Sequence, residues 1–121
     1  PYNAGTLPRE LAMEILACPN YTVDLCAATE SLNRRFLEAL REPGLSKFKV
    51  AATSLSTPIN LLYVENESVD LQRLLAEVGI AAVSGLSFDN LGANAVRIMI
   101  GSEDKLDLLL ERLRLAAERL P

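Results

Sequence analysis

The sequence predicts an α+β domain: a small mixed or antiparallel sheet packed on one side by helices, in the order α α β β α β β α. Three observations point there. Apolar residues recur at three- and four-residue spacing in four separate segments. Four short strand-like runs interrupt those segments, with Gly, Pro, Ser or Asn close to their ends. The chain has 121 residues, half of them hydrophobic and 23% charged, which suits one compact core and argues against disorder.

The first helix is expected from Thr6, a capping residue type, with Pro8 in the first turn, where a missing N–H has no helical partner anyway. Leu7, Leu11 and Ile15 follow at fourfold spacing, and Pro19 with Asn20 breaks the run. A longer helix is expected over about 22–41, with Leu25, Ala28, Leu32, Phe36 and Leu40 as its apolar stripe. The stretch EPG (42–44) ends it, and Gly44 offers the left-handed conformation that many helix ends adopt.

The period then shortens. FKVAAT (48–53) and INLLYVE (59–65) read as strands, with Pro58 at a strand start where no ladder donor is needed. Ser68 is the expected cap of a helix carrying Leu71, Leu74, Leu75 and Val78, closed by Gly79. IAAVSG (80–85) reads as a third strand and LSFDNLGAN (86–94) as a polar loop. AVRIMIG (95–101) is the fourth strand. Ser102 then caps a last helix with Leu106, Leu109, Leu110, Leu113 and Leu120 on one face and Glu103 and Asp104 in its first turn.

Composition narrows the function classes. Aromatics are 5% and Trp is absent, so the core is built from Leu, Ile, Val and Ala. A net charge of −4 argues against a nucleic-acid partner. Arg112, Arg114 and Arg119 interleave with Glu111 and Glu118 and read as a solvated mixed-charge face. No apolar run reaches membrane-span length, so no membrane partner is expected. With no His, Cys18 and Cys26 suggest neither a zinc site nor a disulfide framework; both read as small hydrophobes in helices, consistent with a cytoplasmic setting. No metal ligands are expected. Residue 1 is Pro, so the chain reads as a processed product or as a piece of a longer one.

One residue stands out. Arg97 lies in the middle of the fourth strand, between Val96 and Ile98. Side chains alternate across a strand, so Val96, Ile98 and Ile100 share the helix-facing side, and Ala95, Arg97 and Met99 the other. A guanidinium offers a rigid fork of donors that matches a carboxylate or phosphate in bidentate geometry. Arg97 is therefore a candidate anion clamp, with pairing to a nearby Asp or Glu as the bland alternative.

Several stretches carry a resemblance. VRIMIGSEDKLDLLLERL (96–113) resembles the closing strand and helix of class I/II aminotransferases of fold type I, nearest the histidinol-phosphate aminotransferase type. EVGIAAVSGLSF (77–88) is similar to the strand before it, and TSLSTPINLLYVE (53–65) to an earlier strand in which Asn60 takes a family Asn. PYNAGTLPRELAMEILACPNY (1–21) and NRRFLEALREPG (33–44) are similar to the segments leading into the small domain. The resemblance covers almost the whole chain in order, with no single decisive motif. It implies one domain over 1–121, the aminotransferase small domain, with a helical lead-in over 1–45 and an α/β core over 46–121.

The resemblance further implies that Arg97 binds the α-carboxylate of an amino acid or 2-oxo acid substrate, and that Tyr2 and Asn3 approach the pocket; Phe88 is a candidate for its apolar wall, with ordinary packing under the loop as the open alternative. Pyridoxal 5'-phosphate is the implied cofactor of the intact enzyme, which is implied to be a homodimer. The family's cofactor lysine sits in a Ser-x-x-Lys motif followed by Gly-x-Arg-x-Gly, and neither is present. Ser46 and Lys47 do not supply it; Lys47 reads as a surface lysine. The catalytic large domain is thus the missing partner, and this chain alone is expected to bind no cofactor and to be inactive. Two other readings stay open: a free-standing binding or regulatory module of the same fold, and a domain of a related pyridoxal-phosphate decarboxylase or synthase.

Overall fold

The computed structural model describes residues 6–121, with side chains from residue 8 onward. Helix α1 spans Thr6–Ala17 and α2 spans Tyr21–Ala39. Strands β1 (Lys49–Val50) and β2 (Ile59–Tyr63) follow, then α3 (Leu71–Glu77), β3 (Val83–Ser84), β4 (Ala95–Met99) and α4 (Glu103–Glu118). The element order is the one the periodicities predict, and the fold is α+β.

All sheet pairings are antiparallel and the strand order is β1-β2-β4-β3. Both β2 and β3 run antiparallel to β4, so they run parallel to each other, joined through α3, with β4 inserted between them. This is a split β-α-β arrangement. The pairing of β2 with β4 is the longest, from Ile59 opposite Met99 to Tyr63 opposite Ala95.

That register sorts the side chains. Leu62, Val96 and Ile98 point to the helices and are buried, as is Ile100 just beyond the strand. They meet Phe36 of α2, Leu71 and Leu75 of α3, and Leu106 and Leu113 of α4 in one apolar cluster. Burying each such side chain stabilises the fold by about 1.5–3 kcal/mol. The sheet's other face carries Ile59, Met99, Val83 and Arg97, all exposed.

The ends of α4 and α3 follow local chemistry. Ser102 accepts a hydrogen bond from the backbone N–H of Lys105 at 3.3 Å, the expected cap. Gly79 has φ of +82° and stops α3 as expected, since a left-handed residue ends the helix at little cost only if it lacks a Cβ. Asp70, not Ser68, caps α3: its carboxylate accepts from the N–H of Arg73 at 3.1 Å. Ser68 instead donates to Asn66 in the preceding turn. Gly44 does not take a positive φ; α2 ends in a tight turn, with Leu45 buried beneath it.

Three further expectations are corrected. The strands expected over 48–53 and 80–85 shrink to two paired residues each, because both lie at sheet edges and leave the ladder quickly. The buried line of α2 runs through Thr29, Asn33, Phe36 and Leu40; Leu25 and Ala28 are exposed. Packing against the segment before β2 demands polar groups there, which apolar periodicity does not register. Helix α1 buries little: Leu11, Met13 and Leu16 are all exposed, and Cys18 at its end is exposed too, so it is not a core thiol. Cys26 is half-buried. Among the described residues no helix is long and apolar enough to cross a membrane.

The arginines of α4 are also less idle than a solvated face. Arg112 is half-buried and donates to the carbonyl of Val78 at 2.8 Å, closing the end of α3. Arg114 pairs with Glu42 at 3.0 Å, and Arg119 with Glu77 at 3.2 Å. Their acids come from other elements, not from Glu111 and Glu118.

Candidate functional site

Arg97 stands at the centre of the open sheet face. Its strand neighbours Val96 and Ile98 are 0% and 4% exposed, whereas Arg97 itself is exposed. It lies opposite Leu61 on β2 and Val83 on β3. Alternation along β4 places it there, and the flanking apolar residues anchor the backbone beneath it. The guanidinium is therefore carried by a well-fixed strand and has no room to retreat into the helix-covered core.

Among the described residues, none of the ion pairs and none of the side-chain hydrogen bonds involves Arg97. Asp107, Glu77 and Glu42 are engaged by Arg35, Arg73, Arg119 and Arg114 elsewhere. The contact Arg97 does make is with Phe88, whose ring centroid lies 5.8 Å from the guanidinium carbon. A cation over an aromatic face at such a distance gains about 0.5–1 kcal/mol at an exposed site. This contact leaves the N–H fork free to donate.

Phe88 reaches that place through a short 3₁₀ turn, Gly85–Ser87. The Ser84 hydroxyl accepts from the N–H of Leu86 at 3.2 Å, and the N–H of Phe88 donates to the carbonyl of Gly85 at 2.9 Å. A Cβ at Gly85 would sit 2.8 Å from the carbonyl oxygen of Ala95 and collide with that of Gly92. Only glycine lets the loop lie this close to the start of β4, so Gly85 is what brings Phe88 back over the sheet.

Two shallow depressions flank the arginine. The larger, about 400 Å³, is walled by Ala51, Thr57, Ile59, Leu61, Phe88 and Leu91, with Arg97 at its edge. The other, about 310 Å³, lies on the side of Ala82, Val83 and Met99. The chemistry offered is a single fork of N–H donors set in apolar surroundings, suited to binding and orienting an acid group.

The wall formed by residues 51–57 is held from below by a pair of buried asparagines. Asn33 of α2 is 2% exposed. Its side-chain N–H₂ donates to the carbonyls of Leu55 at 2.6 Å and Thr57 at 2.8 Å, and its oxygen accepts from Asn60 of β2 at 3.1 Å. Ser56 adds a bond to Glu30 at 3.0 Å. Backbone carbonyls that turn inward from a loop need donors, and this amide supplies two. Asn60 stood out in the sequence only through the family resemblance, and Asn33 did not stand out at all. The available signal was a polar residue on the line Thr29, Phe36 and Leu40, which is otherwise the helix's core-facing side.

Of the residues singled out in the sequence, Arg97 and Phe88 are thus brought together. Tyr2 and Asn3 lie outside the described residues. Lys47 is on another surface, where its ammonium donates to the carbonyl of Leu120 at 3.4 Å. Neither depression is lined by a lysine that could form an imine, nor by an acid that could pair with a pyridine nitrogen. The residues on this face therefore do not by themselves fit a pyridoxal cofactor. Compared with models of known protein families the chain matches none, and no curated protein matches it.

Proposed function

We propose that the chain is the C-terminal small domain of a fold-type I pyridoxal-phosphate-dependent aminotransferase, of the histidinol-phosphate aminotransferase type, and that Arg97 holds the α-carboxylate of its amino acid or 2-oxo acid substrate. One observation carries this reading: the guanidinium stands on the uncovered face of the sheet, with no acid of the described chain engaging it. A bidentate guanidinium–carboxylate pair fixes orientation as well as charge, which a transferase needs to present the α-carbon to its cofactor. The resemblance of the strand and helix around Arg97 supplies the family.

In the proposed enzyme the cofactor and its lysine belong to a large domain. This chain contributes the carboxylate clamp and a lid that keeps water from the reacting atoms. The bare apolar side chains of α1 and of the first half of α2, among them Leu11, Met13, Leu16, Val23 and Leu25, support the same reading, because a covering body would bury them. The enzyme is proposed to be a cytoplasmic homodimer. The self-contained core over α2, α3, α4 and the sheet favours a second reading, a free-standing module that binds small carboxylates through the same arginine.

The coding sequence upstream of Pro1 separates the two. A frame that continues into a Ser-x-x-Lys motif followed by Gly-x-Arg-x-Gly, and a complete protein that moves an amino group between amino acid and 2-oxo acid, support the aminotransferase. A start codon immediately before Pro1, or a complete protein without the lysine, contradicts it.

A further inference from the structure

We propose that the outer face of α4 is a contact between two copies of this chain, which meet with their α4 helices side by side and parallel. The inference is independent of Arg97 and of the aminotransferase reading. It starts from a repeat within the helix. Asp104 and Lys105 are adjacent, Glu111 and Arg112 follow seven residues later, and Glu118 and Arg119 seven later again. Leu108 and Leu115 fall between those pairs. Seven residues are nearly two turns, so each set forms a line along the helix. Each leucine comes four residues after an acid and three after a base, which puts the leucine line between an acidic line and a basic one.

The structure turns this pattern outward. The core side of α4 is Leu106, Leu110, Leu113 and Ala116, whereas Leu108 and Leu115 are 50% and 45% exposed. Of the six charged residues in the two lines, five are exposed and Arg112 is half-buried. The basic line runs on the side of α3, where Arg112 bonds the carbonyl of Val78 and Arg119 pairs with Glu77. The acidic line runs on the side of α2, beside Asp107 and Arg114, which pair with Arg35 and Glu42. A guanidinium has several N–H donors, so Arg112 and Arg119 can each take a further acid without giving up these bonds.

Charge complementarity names the partner and its direction. A two-fold axis parallel to the helix brings the acidic line of one copy against the basic line of the other, twice over. Asp104, Glu111 and Glu118 of each copy then meet Lys105, Arg112 and Arg119 of the other at the same height, with leucine on leucine between them. Turning one helix end for end sets acid against acid and base against base, which is repulsive. One helix from each copy makes a small contact, at the weak and transient end of interface sizes. Its ion pairs lie at a solvated rim, so salt weakens it.

The test is disulfide trapping in the 121-residue chain, with Cys18→Ser and Cys26→Ser removing the native thiols. A position-specific readout is needed because the exposed side chains of α1 offer a second route to association. One cysteine is introduced by Leu108→Cys, by Leu115→Cys or, as a control, by Asp89→Cys, all at exposed positions, and the spectrum of each chain checks its fold. The expected result is that the Leu108→Cys and Leu115→Cys chains each cross-link to their own kind at least about tenfold faster than the Asp89→Cys chain at equal concentration. Adding Glu111→Lys and Glu118→Lys, which reverses most of the acidic line, should bring both to the control rate. Trapping at the control rate from the start, or trapping undiminished by the reversal, overturns the proposal. So does preferential joining of Leu108→Cys to Leu115→Cys in a mixture of the two chains, which would mean that the helices run antiparallel.

Discussion

Asn33 is the residue on which the site's geometry turns without touching a ligand. Its amide satisfies two loop carbonyls and Asn60 at once, inside a helix–sheet interface that water does not reach. Asn33→Leu keeps the volume close and removes every one of those bonds. Unsatisfied buried polar groups cost about 1–3 kcal/mol each, with some relief if the loop swings out to water. Urea denaturation should show a loss of about 2–3 kcal/mol, with faster amide exchange at Thr57, whose N–H bonds Ser54 across the loop. A loss below about 0.5 kcal/mol would mean that the loop does not depend on this amide. Gly79 offers a second check at this scale. At φ of +82°, Gly79→Ala meets backbone strain and also pushes on the Arg112 guanidinium that caps α3. The expected cost is about 1–2 kcal/mol in thermal or urea unfolding, and a neutral result would show that the α3 end relaxes freely. The sequence made Gly79 and Arg97 legible because backbone chirality and strand alternation are local rules. It did not make Asn33 legible, because its partners lie more than twenty residues away in a loop with no pattern of its own.

Elements differ in how firmly they are held. Helix α4 is joined to the rest by the leucine face and by ion pairs at its surface, Arg35 with Asp107 and Arg114 with Glu42. Those ion pairs are about half exposed, where solvent screens them, so each contributes about 0–1 kcal/mol. Asp107→Asn should therefore change stability by less than about 1 kcal/mol, and the difference should vanish in high salt. A larger, salt-independent loss would assign Asp107 a packing role. Helix α1 is the opposite case. Its large apolar side chains are exposed and its neighbour is the outer part of α2. Removing residues 1–19 should leave the unfolding free energy within about 1 kcal/mol and reduce self-association measured by sedimentation. A collapse of the fold would place α1 within the core's support. Periodicity revealed that all four helices exist but could not say which stripe is buried. The α1 stripe has the spacing of a core face, yet among the described residues its large side chains, Leu11, Met13 and Leu16, stay exposed.

At the scale of the molecule, three helices cover one side of a four-stranded sheet, and Arg97 stands exposed on the other side. The order of the elements could be read from the changes of period along the chain. The sheet order could not, because inserting β4 between β2 and β3 depends on pairing between distant segments. The division of labour follows from that insertion. The last strand becomes a central one, so its alternation puts Arg97 in the middle of the open face, where Phe88 and the segment before β2 can wall it. Whether that face grips a substrate acid is measured most directly by steady-state kinetics of the proposed complete aminotransferase with Arg97→Lys. Lysine keeps the charge and loses the fork, so KM for the amino acid should rise at least about tenfold, with a matching fall in kcat/KM. An unchanged KM would remove Arg97 from the substrate site.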